Sequence, residues 1–171
     1  MTNLQLAMDF TLKAEGRFTV DNGGPTMWGV TQRVYDSYRL NHKLDSQSVA
    51  LISAEEVEEI MDKEYWQPAH CEELPVKLGI ALFDWVYNHG VTGAIITLQR
   101  CLGIAYDGVF GPNTAKAIAD APASLLPQFL DARRSWYEEA AATHPAIFRK
   151  DIKGWLNRVD NLEIYLHGLE V

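Results

Sequence analysis

The chain has 171 residues, 47% of them hydrophobic and 22% charged, a composition that suits one solid core or two small lobes. A net charge of −8 and a pI near 5.0 exclude a nucleic-acid-binding role, which needs a basic face to neutralise phosphates. Two cysteines, Cys71 and Cys101, are too few for a disulfide framework and lack metal-ligand spacing, so buried free thiols are favoured over a bridge between them.

Helical periodicity dominates, and no segment alternates convincingly as a strand. Asn3 can cap a first helix that runs to about Glu15 and ends at Gly16, with Leu4, Ala7, Met8 and Ala14 facing inward. Residues 17 to 30 form an irregular loop, the one place where a short β-hairpin is plausible. A helix follows from Thr31 to Leu40. Ser53-Ala54-Glu55-Glu56 reads as a capping box, and the helix it opens directs Val57, Ile60, Met61 and Tyr65 inward. Pro75 starts a helix over Val76 to Tyr87 that is apolar almost all round, as a central buried helix should be, and Asn88-His89-Gly90 ends it. Next come a helix from Thr92 to Leu102 stopped by Gly103, a loop over Tyr106 to Thr114, and a short helix through Ala119. Pro127 to Ala142 forms a long helix broken at His144-Pro145, and a final helix covers Ile152 to Leu166. The expected fold class is all-α. No stretch approaches the roughly 18 to 20 apolar residues of a membrane span, and the N-terminus has no basic region or apolar core.

The chemistry-bearing residues gather near Glu15. A single carboxylic acid at a helix end, followed by a glycine-rich loop carrying a carboxylate and hydroxyls, suits glycosidic bond cleavage. One group protonates the leaving oxygen while another orients a water. Phe18 and Trp28 are neighbours able to dry the acid and raise its pKa. Asp21 and Thr26, six and eleven positions after Glu15, are the candidates for holding the water. Asp21 is equally a brace for the Gly23-Gly24 bend, in the manner of an Asx turn. Thr31 is either a helix N-cap or a cleft hydroxyl, capping being favoured. Gly23, Gly24 and Gly29 permit positive φ and close backbone approach to a ligand. The five histidines show no zinc pattern, and no phosphate loop or nucleophilic Cys-His or Ser-His pair is visible, so neither metal nor cofactor is implied.

Glu15-Gly16-Arg17-Phe18, followed by Asp21-Asn22-Gly23-Gly24-Pro25-Thr26-Met27-Trp28-Gly29-Val30-Thr31, resembles the catalytic segment of glycoside hydrolase family 108, the bacterial and phage muramidases. Arg17 stands where that family has a second glycine, and the interval from Glu15 to Asp21 is shorter than its common pattern. Tyr65-Trp66, Leu74-Pro75 and Phe83-Asp84 with Asn88 and Gly90 are similar to the middle of the family. Leu98-Gln99, Leu102-Gly103, Asp107-Gly108, Gly111-Pro112, Thr114 and Gly154-Trp155-Leu156-Asn157-Arg158-Val159 resemble the small predicted peptidoglycan-binding domain usually joined to it.

The resemblance implies a lysozyme-like helical fold, with a catalytic region over 1–90 and a peptidoglycan-binding region over 91–171, packed as one globule. It implies a bacteriolytic N-acetylmuramidase, of the endolysin kind found in phage, cutting the β-1,4 bond between N-acetylmuramic acid and N-acetylglucosamine with inversion. Glu15 would be the acid, Thr26 and Asp21 would hold the water, and Gly24, Trp28, Thr31 and Asn88 would contact substrate. Asp84 and Asn88, four apart on the buried helix, would tie down the catalytic loop, or Asn88 would reach an N-acetyl group. Arg158 would tune Glu15 or Asp21, or form a surface ion pair. The Asp107-Gly108 loop would touch the glycan; read alone it is a tight turn before a helix with Pro112 first. Trp66, Trp136 and Trp155 are core residues or sugar platforms. A monomer made in the cytoplasm without a signal peptide, and released to the wall through a holin or another export partner, fits this reading. A net charge of −8 opposes an acidic wall polymer unless Lys and Arg cluster locally. A lytic transglycosylase, or an inactive wall-binding protein that aids secretion, is the alternative.

Overall fold

Thr2, rather than Asn3, starts the first helix. In the computed structural model, which describes residues 1–15, 18–21, 24–148 and 150–171 (the side chains of 14, 15 and 18–21 lie outside that description), the Thr2 carbonyl accepts the first helical bond from Leu6 N–H at 3.0 Å. Thr2 Oγ1 accepts from Gln5 N–H, and Gln5 Oε1 accepts from Thr2 N–H, both at 3.1 Å. This is a Thr-x-x-Gln capping box, and it leaves Asn3 as the first residue inside helix α1 (Asn3–Glu15). Leu4, Ala7 and Thr11 form the buried face of α1, and Met8 lies only half-buried beside it.

The expected hairpin is a three-stranded antiparallel sheet, β1 (Phe18–Asp21), β2 (Gly24–Met27) and β3 (Val30–Thr31). Thr31 then caps α2 (Gln32–Asn41), its Oγ1 accepting from Val34 N–H at 3.3 Å, as the favoured reading of that residue required. After a 3-10 turn at Val49–Leu51, the Ser53–Glu56 capping box opens α3 (Ala54–Met61) with both of its reciprocal bonds made. Buried Tyr35 of α2 donates to Glu56 Oε2 at 2.8 Å and accepts from Arg39 Nη1 at 3.0 Å, which ties the α2 face to the start of α3. Val57, Ile60 and Met61 are buried as expected. Tyr65 is not: α3 stops at Met61 and a π-helical turn, Asp62–Trp66, adds a residue to the turn and rotates the phase. Trp66 is therefore the buried ring, and Tyr65 is half-buried against Tyr87 at 5.6 Å.

The chain divides into two compact units, Met1–Glu64 and Tyr65–Val171. The second is built on α4 (Val76–His89), whose residues Leu78 through Val86 are all buried, the central helix that its all-round apolarity requires. Gly79 lets α4 approach the 3-10 turn Cys71–Glu73: a Cβ there would meet the Cys71 carbonyl oxygen at 2.5 Å. Gly90, at φ 78°, separates α4 from α5 (Val91–Cys101). Then follow α6 (Pro112–Ala119), α7 (Leu125–Thr143), α8 (Pro145–Phe148) and α9 (Ile152–Gly168). The long helix α7 begins before Pro127, which sits harmlessly in its unbonded first turn. Both cysteines are free; Cys71 is buried, as expected, but Cys101 is only half-buried. Helices dominate the fold, as the periodicity predicts, and among the described residues none is long and apolar enough to cross a membrane.

Candidate active site

Glu15 is the last residue of α1 and Asp21 the last of β1, where it pairs with Gly24; the side chains of both lie outside the described residues. Strand register fixes the two threonines. Thr26 sits in the middle of β2, opposite Thr19 on one side and Thr31 on the other. Directly opposed residues of antiparallel strands present their side chains to one face, so Thr26 and Thr31 are neighbours there. Their hydroxyls differ in availability. Thr31 is engaged in capping α2, whereas the Thr26 hydroxyl has no hydrogen-bond partner among the described residues.

Trp28 and Gly29 form the two-residue turn that joins Met27 to its partner Val30, with φ of 47° and 74°. Positive φ at both positions matches a type I′ hairpin turn, where glycine or asparagine is the usual first residue. A tryptophan in the left-handed region costs on the order of 1–2 kcal/mol, so this side chain is held against a local preference. Trp28 lines a pocket of about 560 Å³ with Met8, Leu12 and Lys13 of α1, and Lys13 Nζ pairs with Asp9 at 2.7 Å on its edge. The apolar stripe of α1 places Met8 in the core and gives no sign of Leu12. Yet α1 carries more apolar residues than one buried stripe can use, which points to a second apolar face. Gly24, at φ 97°, has nothing among the described residues within 4 Å of where a Cβ would stand.

Asn88 belongs to the second unit. It is exposed at the end of α4, and its amide Nδ2–H donates to the Asp84 carbonyl at 2.6 Å. Asp84 is fully buried between two guanidiniums. Arg133 Nη2 donates to Oδ2 at 2.7 Å and Arg158 Nη2 to Oδ1 at 2.8 Å. Burial opposes ionisation of Asp84, but the charges and hydrogen bonds of Arg133 and Arg158 outweigh it and hold the carboxyl below its usual range. Two partners of the Asp84 carboxylate thus lie on α7 and α9. Arg158, with 11% of its side chain exposed, is a buried partner and not a surface one.

In the Asp107-Gly108 loop the buried Gln99 amide ties the turn together. Gln99 Nε2 donates to Asp107 Oδ1 at 2.8 Å, Val109 O at 3.0 Å and Thr114 Oγ1 at 3.1 Å, while Gln99 Oε1 accepts from Gly108 N–H at 2.9 Å. Those residue types brace the turn. Among the described residues no group of three or more His, Cys, Asp or Glu side chains is placed to hold a metal ion.

Residues 8–90 match the family model described as Glycosyl hydrolase 108, and residues 93–160 match that described as Predicted Peptidoglycan domain. No curated protein matches the chain. Its fold is similar to that in the structure of Brucella abortus SagA, with a TM-score of 0.77 and 24% identity over 96% of this chain and 93% of that one. That likeness shows a shared helical fold, and the two family matches, in this order, are the make-up of a hydrolase acting on peptidoglycan. Residues 8–90 thus form a glycosyl hydrolase 108 domain, and a predicted peptidoglycan domain follows it.

Proposed function

We propose that the protein is an N-acetylmuramidase that cleaves the β-1,4 bond between N-acetylmuramic acid and N-acetylglucosamine. Glu15 protonates the glycosidic oxygen, and Thr26, with Asp21, holds the water that attacks the anomeric carbon. The observation that carries this reading is the Thr26 hydroxyl, uncommitted among the described residues, in the middle of a sheet directly following the helix that ends at Glu15. A hydroxyl and a loop carboxylate holding water, in place of a second carboxylate close to the sugar, favour inversion. Trp28 supplies a ring face for a sugar in the pocket beside α1, and Gly24 allows close backbone approach. Region 1–90 carries the chemistry and 91–171 wall recognition. The protein acts as a bacteriolytic monomer, of phage endolysin type, at the wall after release through a holin or another export partner.

The test is digestion of purified sacculi, with mass spectrometry of the released muropeptides. Wild type yields reducing-end products, while Glu15→Gln, folded by circular dichroism, yields essentially none. Proton NMR during cleavage of a glycan chain reads the first anomer formed, which is α if the bond inverts. Anhydro ends, lighter by one water, identify a transglycosylase instead. Wild-type activity in Glu15→Gln overturns the assignment.

A further inference from the structure

In the second unit a network of aromatic rings runs from the core to the surface. Its floor is Trp85 and Tyr137, both buried, with ring centroids 5.3 Å apart. Above the floor the rings are only half-buried. Trp136 meets Trp85 edge-on at 5.5 Å, Trp155 stacks on Tyr137 at 5.2 Å, and Phe148 bridges them, 6.2 Å from Trp136 and 5.5 Å from Trp155. Burying three such rings further would stabilise the fold, so their partial exposure needs another reason. Ile147, 66% exposed, adjoins them in the chain.

The charge of this segment departs from that of the chain. Residues 147–155 carry Arg149, Lys150 and Lys153 against the single acid Asp151, in a protein of net charge −8. Lys150 and Lys153 are exposed, and neither pairs with a carboxylate among the described residues. Ring faces suit the C–H faces of pyranose sugars, and adjacent ammonium groups suit carboxylates on the same polymer.

We infer that Trp136, Phe148 and Trp155, with Lys150 and Lys153, form a binding surface for the acidic glycan strand of peptidoglycan, the rings against sugar faces and the lysines on lactyl or stem-peptide carboxylates. The inference rests on the reading of peptidoglycan as substrate and names where the second unit holds it. It also supplies the local positive charge that an acidic protein needs on an acidic polymer.

Sedimentation with sacculi tests it, in a Glu15→Gln parent so that the polymer stays intact. Lys150→Glu/Lys153→Glu, which alters only exposed side chains, and Phe148→Ala should each weaken binding on the order of fivefold to tenfold, with the melting temperature of the double variant unchanged. The double variant should also lose much of the salt sensitivity of binding. Parent-like affinity in the folded double variant overturns the inference while leaving the enzyme reading intact. A parent that neither binds sacculi nor, as wild type, cleaves them defeats both. Loss of binding to vesicles of anionic lipid, with sacculus binding unchanged, would assign the surface to a membrane and refute the glycan.

Discussion

Replacing Asp84 by Asn removes the negative charge between Arg133 and Arg158 while keeping the shape of the side chain. Asp84 and Arg133 are 0% exposed and Arg158 is 11% exposed, so water cannot substitute freely for the lost carboxylate. A hydrogen bond to a charged group contributes about 1.5–3 kcal/mol, and removing one member of a buried ion pair costs about 3–5 kcal/mol. Asparagine retains one acceptor, which places Asp84→Asn near 3 kcal/mol and Asp84→Ala nearer 5 kcal/mol by the same range. In a chain of this length 1 kcal/mol lowers the melting temperature by about 2–4 °C, giving a fall of roughly 6–12 °C for Asn. The pH dependence follows from the depressed folded pKa. The stabilisation from Asp84 is fully present above the ordinary carboxylate pKa of about 3.9 and is lost as pH falls through the lower folded value. Calorimetric melts of wild type and variant should therefore differ most at pH 5–8 and converge in strong acid. A loss below about 1 kcal/mol at pH 7, or a gap that does not narrow in acid, would refute the reasoning.

Gly93→Ala places a Cβ 2.4 Å from His89 Cδ2, forcing that ring off Trp85; a loss of about 1–3 kcal/mol and a red-shifted tryptophan emission are expected. Gln99→Ala strands the buried Gly108 N–H and Thr114 hydroxyl, and should cost about 2–4 kcal/mol with faster exchange of the Gly108 amide, read by NMR. Trp28→Asn relieves the left-handed backbone, so stability should hold within about 1 kcal/mol while KM for glycan chains rises; an unchanged KM would remove Trp28 from the site. Between roughly 0.01 and 0.1 M salt the Debye length shrinks from about 30 to 10 Å, so sacculus binding should first strengthen as net repulsion is screened and then weaken as local pairs are lost, and a steady decline from the lowest salt would contradict this.

Local signals in the chain were readable because their physics is local. Ser53 and Glu56 complete each other's hydrogen bonds three residues apart, Pro112 occupies a first helical position, and an unbroken apolar run makes α4 the buried helix. Where two local solutions compete, the pattern alone does not decide. Thr2 and Asn3 are both good caps, and Gln5 selects Thr2 by returning a bond to it. The π turn after Met61 leaves no mark in the apolar periodicity, which is why Trp66 and not Tyr65 is the buried ring. The Asp84 cluster joins residues 49 and 74 positions apart, and nothing in the spacing of Arg133 or Arg158 points to that carboxylate. The candidate site divides in the same way. The Gly-Gly-Pro-Thr segment fixes Thr26 on a strand and Thr31 at a cap, whereas the pocket beside Trp28 arises from the way the β2–β3 turn meets α1.

Net charge is a poor guide to this protein's partner because its cations are unevenly employed. Arg39, Arg133, Arg134 and Arg158 are all bound to carboxylates within the fold, where they organise helices and present little field to solvent. The charges that an approaching polymer meets are the exposed ones, and in water these act over about 8–10 Å at physiological salt. Over that distance Lys150 and Lys153, which pair with no carboxylate among the described residues, act more strongly than distant acids. The total of −8 then sets how the protein behaves at long range and keeps it dispersed, while Lys150 and Lys153 determine what happens on contact. An acidic hydrolase of an acidic wall is thus physically consistent: weak general repulsion lets it leave spent polymer, and a confined basic, aromatic surface is enough to hold the strand where it binds.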